Sequence, residues 1–119
     1  MLQSYWTVEY VGPHYSLILK KLERKAHFSI LDIKRERFIV NGEKFERNMF
    51  FVNHEVATWN DFVLDMLKVA KDISPTWEIH SYDTMISGEI FRRMDGEIRG
   101  EHSHFRRIKW DISESQQYE

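Results

Sequence analysis

The chain has no cysteine, which excludes a disulfide framework, a thiolate metal site and a cysteine nucleophile. Proline is nearly absent, with Pro13 and Pro75 the only two. The five glycines stand singly at 12, 42, 88, 96 and 100, so there is no glycine-rich loop to cradle a phosphate. None of the serines sits in a Gly-x-Ser-x-Gly elbow, and His54-Glu55 lacks the second histidine of a zinc-protease helix. No window approaches the roughly 18 uninterrupted apolar residues of a membrane span, and MLQSYWTVEY lacks the basic stretch and apolar core of a secretory signal. Neither charge sign dominates: 17 Lys and Arg face 19 Asp and Glu, a formal charge of −2. That balance exerts no global pull toward nucleic acid or anionic lipid. The expectation from these absences is a cytosolic protein without membrane segment or cofactor.

What is present is material for a core. The 119 residues are 42% hydrophobic and 14% aromatic, outside the regime in which burial fails to offset chain entropy. A chain of this length makes one domain that buries about two-thirds of the surface its unfolded form exposes. One compact domain is expected over 1–112, with a polar tail over 113–119.

Periodicity then assigns the elements. Residues 3–11 alternate Tyr5, Thr7, Glu9 and Val11 against Trp6, Val8 and Tyr10, a half-buried strand ended by Gly12-Pro13. Tyr15, Ile18, Leu19 and Leu22 recur at helical spacing, so 13–25 reads as an amphipathic helix, with a strand pairing back on the first as the competing reading. A strand from Phe28 to Ile33 runs into a charged turn, Lys34-Arg35-Glu36-Arg37. Phe38-Ile39-Val40 and Glu43-Lys44-Phe45 flank Asn41-Gly42, the dipeptide suited to a type I′ hairpin turn. Met49 to Asn53 reads as another short strand.

Thr58 caps a helix over 58–73 with the apolar stripe Trp59, Phe62, Val63, Met66, Leu67, Ala70 and Ile73, and Ser74-Pro75 stops it. A β meander follows over 77–82, 85–94 and 97–112, with Asp95-Gly96 as its tight turn. The order β-α-βββ-α-βββ implies an α+β fold: a mainly antiparallel sheet with two helices packed on one face.

The spacing Gly96-x5-His102-x-His104 would offer two imidazoles from one strand face to a metal. It resembles the first half of the cupin metal motif over about nine residues. The glutamate that this motif places three or four residues further on is replaced by Phe105, Arg106, Arg107, Ile108 and Lys109. A site outside that family would recruit His80, Glu89 or Glu101 as third ligand. General acid/base work by a histidine and a carboxylate, His80 with Asp83 for example, is a further option. Arg92, Arg93, Arg99, Arg106, Arg107 and Lys109, interleaved with Phe91, Phe105 and Trp110, form a locally basic, aromatic meander of the kind that binds single-stranded nucleic acid. The same arginines can instead pair with Glu89, Glu97 and Glu101 across the sheet while Trp110, in period with Ile108 and Ile112, fills the core.

Aromatics exceed what such a core requires, and Trp and Tyr are enriched at binding hot spots. Trp6, Tyr10, Trp77 and Tyr82 alternate with polar neighbours as an anchor and its rim would. With Arg92 and Arg99 they make the expected partner-binding set. The expectation is thus a non-enzymatic protein-binding domain, similar in type to small immunity or antitoxin proteins that neutralise a partner toxin. The alternatives are a His102/His104 metal protein or enzyme, a single-stranded nucleic-acid binder, and a homodimer.

Overall fold

In a computed structural model of the chain, residues 2–11, 17–25, 27–100 and 106–115 are described. They form β1 (Leu2–Val11), α1 (Leu17–Glu23), β2 (Phe28–Val40), β3 (Glu43–His54), α2 (Trp59–Ile73), β4 (Trp77–Ile86), β5 (Glu89–Arg99) and β6 (Arg107–Ser115). All neighbouring strands are antiparallel, in the order β2-β3-β1-β6-β5-β4. A hairpin thus flanks either side of a central β1–β6 pair. The α+β class with a mainly antiparallel sheet agrees with the pattern of the sequence.

The observed order has one strand fewer than expected. Residues 34–37 are not a turn: β2 continues through them, with a bulge between Leu31 and Lys34 and Asp32 at a φ of 54°. An extra residue in one strand bends it without ending it, so the anticipated strand at 28–33 and the hairpin arm at 38–40 are one element. On the partner side, 43–45 and 49–53 likewise merge into β3. The Asn41-Gly42 turn is present, with φ of 50° and 82°.

Asp95-Gly96 lies in mid-strand, not in a turn. The turn is Ser87-Gly88, with φ of 52° and 82°, the same backbone geometry as Asn41-Gly42. Gly96 serves packing instead. A Cβ there would come within 2.3 Å of the Trp110 indole, which lies across it. α1 falls within the expected 13–25, and α2 begins where expected, with the Asp61 amide donating to Thr58 Oγ1 at 3.1 Å.

Register separates two faces. Ser4, Trp6, Val8 and Tyr10 are fully buried and sit opposite buried residues of β3, such as Val52, Phe50 and Asn48. They share a core cluster with Leu19 and Leu22 of α1, Phe62, Met66, Val69 and Ala70 of α2, and Met94, Ile98, Ile108, Trp110 and Ile112. Along one row of this buried face run Phe50, Trp6, Trp110, Gly96 and Ile79. Trp6 stacks on Phe50 and on Trp110, each with centroids 6.0 Å apart. Two indoles side by side leave room at the next position for no side chain, which is why glycine occupies it.

Under this cluster lies a polar pair. Ser4 Oγ accepts the Trp6 indole N–H at 2.7 Å and shares a hydrogen bond with His54 Nε2 at 2.6 Å. The His54 ring is held edge-on between Phe28 and Phe62, with 4.8 Å to each centroid. Burial pushes the imidazole down to about 4, because a charged ring there would lose its hydration.

Candidate functional site

The opposite face of the sheet is the more open one among the described residues. The alternate residues of β1 are half-buried or exposed: Tyr5, Thr7 and Glu9. Strand register places six side chains in one row across all six strands: Leu31, Phe51, Tyr5, Asp111, Asp95 and His80. At the ~4.8 Å spacing of strands the row spans about 24 Å. Its first half is apolar and aromatic; its second half is titratable.

Tyr5 stands at the junction, 37% exposed, its ring tilted on Phe51 at 5.1 Å. It walls two shallow depressions. One, of about 390 Å³, is lined by Tyr5, Thr7, His80, Asp95, Glu97, Lys109 and Asp111 among others. The other, of about 620 Å³, is lined by Tyr5, Asp32, Ile33, Lys34, Met49 and Phe51. Leu31 and Ile33, 38% and 41% exposed, extend the apolar side. The bulge at Asp32 leaves both of them on this exposed stretch of β2.

In the titratable half, His80 Nδ1 lies 3.1 Å from Asp95 Oδ1, and the Tyr82 hydroxyl donates a long 3.4 Å hydrogen bond to Asp95 Oδ2. Asp111, directly opposite Asp95, has its carboxyl raised, first by burial and then by the Asp95 charge, with Arg93 opposing. Two cross-strand carboxylates repel, and one cation placed between them would relieve both. The pairing anticipated for His80 is corrected: its carboxylate is Asp95, whereas Asp83 faces Arg92 in the register of β4 and β5, on the opposite side of the strand.

The six residues expected to bind a partner do not converge. Trp6 and Tyr10 are fully buried core residues, so neither presents surface to a partner. Burial raises the Tyr10 phenol above its ordinary value, and Asn48 opposes the shift. Trp77 packs half-buried against the core. Tyr82, 44% exposed, and Arg99, 3.5 Å from Glu97, share the open face, while Arg92 belongs to the alternate set of β5.

His102 and His104 lie outside the described residues, as does Glu101. His80 and Glu89, offered as further ligands, are set apart by register: His80 pairs with Asp95, and Glu89 with Ile86 at the far turn. Among the described residues no group of three histidine, aspartate or glutamate side chains is placed to hold a metal. Of the basic meander, Arg107 is tied to Glu9 at 3.1 Å and Glu97 at 3.8 Å, and Arg106 lies over the Phe45 ring at 5.7 Å.

Sequence reasoning missed Tyr5, Leu31, Phe51, Asp95 and Asp111. Tyr5 had a usable signal, since the Trp6, Val8, Tyr10 alternates are the more apolar set and take the inside. The Asp95–Asp111 pairing had none, because it depends on the register of two strands.

No helix among the described residues is long and apolar enough to cross a membrane. No protein-family model, no curated protein and no solved structure matches the chain.

Proposed function

We propose that the chain is a non-enzymatic protein-binding domain that docks a protein partner on the open sheet face, in an inhibitor role of the immunity or antitoxin type. The observation that carries this reading is Tyr5, an exposed aromatic standing between an apolar depression and an acidic one. In this reading both helices serve the buried face, which leaves the other free. Interfaces concentrate energy in a central aromatic anchor beside desolvated polar groups. The partner that fits offers apolar side chains to Leu31, Phe51 and Met49, and a lysine or arginine to Asp95 and Asp111. Keeping two carboxylates opposed on an open face costs the free protein stability that a cationic partner returns.

Co-purification from the native cells, comparing wild type with Tyr5→Thr, Leu31→Asp and Leu64→Asp, tests it. Leu64 is an exposed residue of α2 and serves as a control. A protein retained by wild type and Leu64→Asp but released by the two face variants supports the reading. Equal retention by all four sinks it. With the partner purified, Tyr5→Thr is expected to weaken binding about 30-fold, a loss of about 2 kcal/mol.

The His80–Asp95 pair favours one second reading, general acid/base chemistry, since a carboxylate on Nδ1 orients an imidazole whose other nitrogen faces outward. Partner binding that survives His80→Gln while a turnover activity disappears would select it.

A further inference from the structure

Among the described residues, both flanks of the sheet end on a strand with one paired neighbour, and the two flanks differ. β2 is interrupted by the Asp32 bulge and followed by Lys34, Arg35, Glu36 and Arg37, the devices by which natural sheets keep an edge from pairing with another chain. β4 has no bulge. All ten of its residues, Trp77 to Ile86, pair with β5 without a register shift. It also displays apolar side chains: Met85 is 71% exposed, Ile86 55% and Tyr82 44%.

We infer that β4 pairs antiparallel with the β4 of a second copy of this chain, giving a two-fold dimer with a continuous twelve-stranded sheet. A two-fold axis normal to the sheet keeps buried face beside buried face, so only residues of the same alternate set can stand opposite each other. That leaves few registers. Centred on Ser81, the pairing sets Met85 against Trp77 of the second copy, His80 against Tyr82 and Glu78 against Thr84. Centred on Tyr82, it sets Met85 against Ile79 and Ser81 against Asp83. Each uses nine residues of either strand, gives the exposed Met85 an apolar neighbour twice over, and opposes no like charges. Shifting the centre to Asp83 would oppose two carboxylates, and to His80 would set Trp77 against Asp83. β2 offers no such self-pairing, because its bulge breaks the alternation that the two-fold requires.

This dimer is independent of the partner-binding face, which the pairing leaves uncovered. Sedimentation equilibrium of the purified chain is the test, with Met85→Lys and Ile39→Lys compared with wild type. Both substituted residues are more than two-thirds exposed, so both variants should fold. The expected result is a mass twice the 14.5 kDa of the chain, self-association weakened about tenfold or more by Met85→Lys, and no change with Ile39→Lys. Because the chain has no cysteine, a single spin label at Ser81→Cys reports the geometry directly, with a label separation below about 20 Å expected from strand spacing. A monomer at ~100 µM, where mass action favours even a weak dimer, overturns the inference. So does a dimer lost with Ile39→Lys but kept with Met85→Lys, or a Ser81 label distance beyond ~30 Å.

Discussion

At the scale of single residues, the core is held by fitted exceptions to an apolar rule. Ser4 serves two buried ring nitrogens at once, so Ser4→Ala strands the Trp6 indole N–H and leaves His54 Nε2 without a partner. A loss of about 1–3 kcal/mol on denaturant unfolding is expected. Gly96→Ala drives a methyl group into the Trp110 ring. The indole is locked between Trp6 and Phe62, so overpacking should cost about 3 kcal/mol or more and blue-shifted tryptophan fluorescence should be lost with it.

His54 sets an acid limit. Its folded value, about 4, lies below the 6.5 of an unfolded chain, so on acidification the unfolded state takes up the proton first. The contribution is therefore intact above pH 6.5, declines as pH falls, and is exhausted near pH 4, amounting to about 3 kcal/mol in all. Unfolding free energies measured across that window should slope, and His54→Phe should flatten the slope. A slope unchanged by the substitution would show that carboxylates alone cause it.

Elements were legible in the sequence to the degree that their signals are local. α2 is the clearest, since Thr58, the apolar stripe and Ser74-Pro75 all act within a few residues. Thr58→Ala should cost about 1 kcal/mol, measurable as a lower thermal midpoint. The Asn41-Gly42 turn was equally plain because asparagine and glycine both tolerate positive φ. Its counterpart at Ser87-Gly88 was hidden, as serine rarely takes that conformation, and Asp95-Gly96 imitated it. A glycine kept for a neighbouring indole looks, in sequence, like a glycine kept for a turn.

The β2 bulge was hidden for a similar reason: a run of four charges resembles a loop until one sees that an edge strand needs them. Of the open-face row, the candidate site itself, only His80 was legible. Leu31, Phe51, Tyr5, Asp111, Asp95 and His80 come from six elements, and only long-range register aligns them. For Asp111, whose carboxyl is raised by burial and by Asp95, the charged form opposes folding at neutral pH. Asp111→Asn should therefore raise the thermal midpoint while weakening any cationic partner.

As a whole molecule, the protein measures 49 × 30 × 26 Å with a radius of gyration of 15.3 Å. A compact chain of this length would have about 13.5 Å. The excess reflects two hairpins that run past the helices, which is why Ile39 and Val40 at one turn and Met85, Ile86 and Ile90 near the other are exposed. All elements still share one core cluster. Far-UV circular dichroism and tryptophan fluorescence should accordingly trace a single coincident unfolding transition, and separated midpoints would show that one hairpin opens on its own.

The central strand pair joins residues far apart in the chain. Trp6 meets Trp110 across β1 and β6, and among the described residues this strand pair is what joins the two flanks of the sheet. β2, β3 and β1 can pair among themselves, as can β4, β5 and β6, but the two halves join only when β6 pairs with β1, far from it along the chain. Until then β1 is an unpaired edge beside an apolar face. Distant pairings of this sort slow folding, because the loop must close before any contact rewards it. Until the two halves join, the apolar face beside β1 is open to off-pathway contacts.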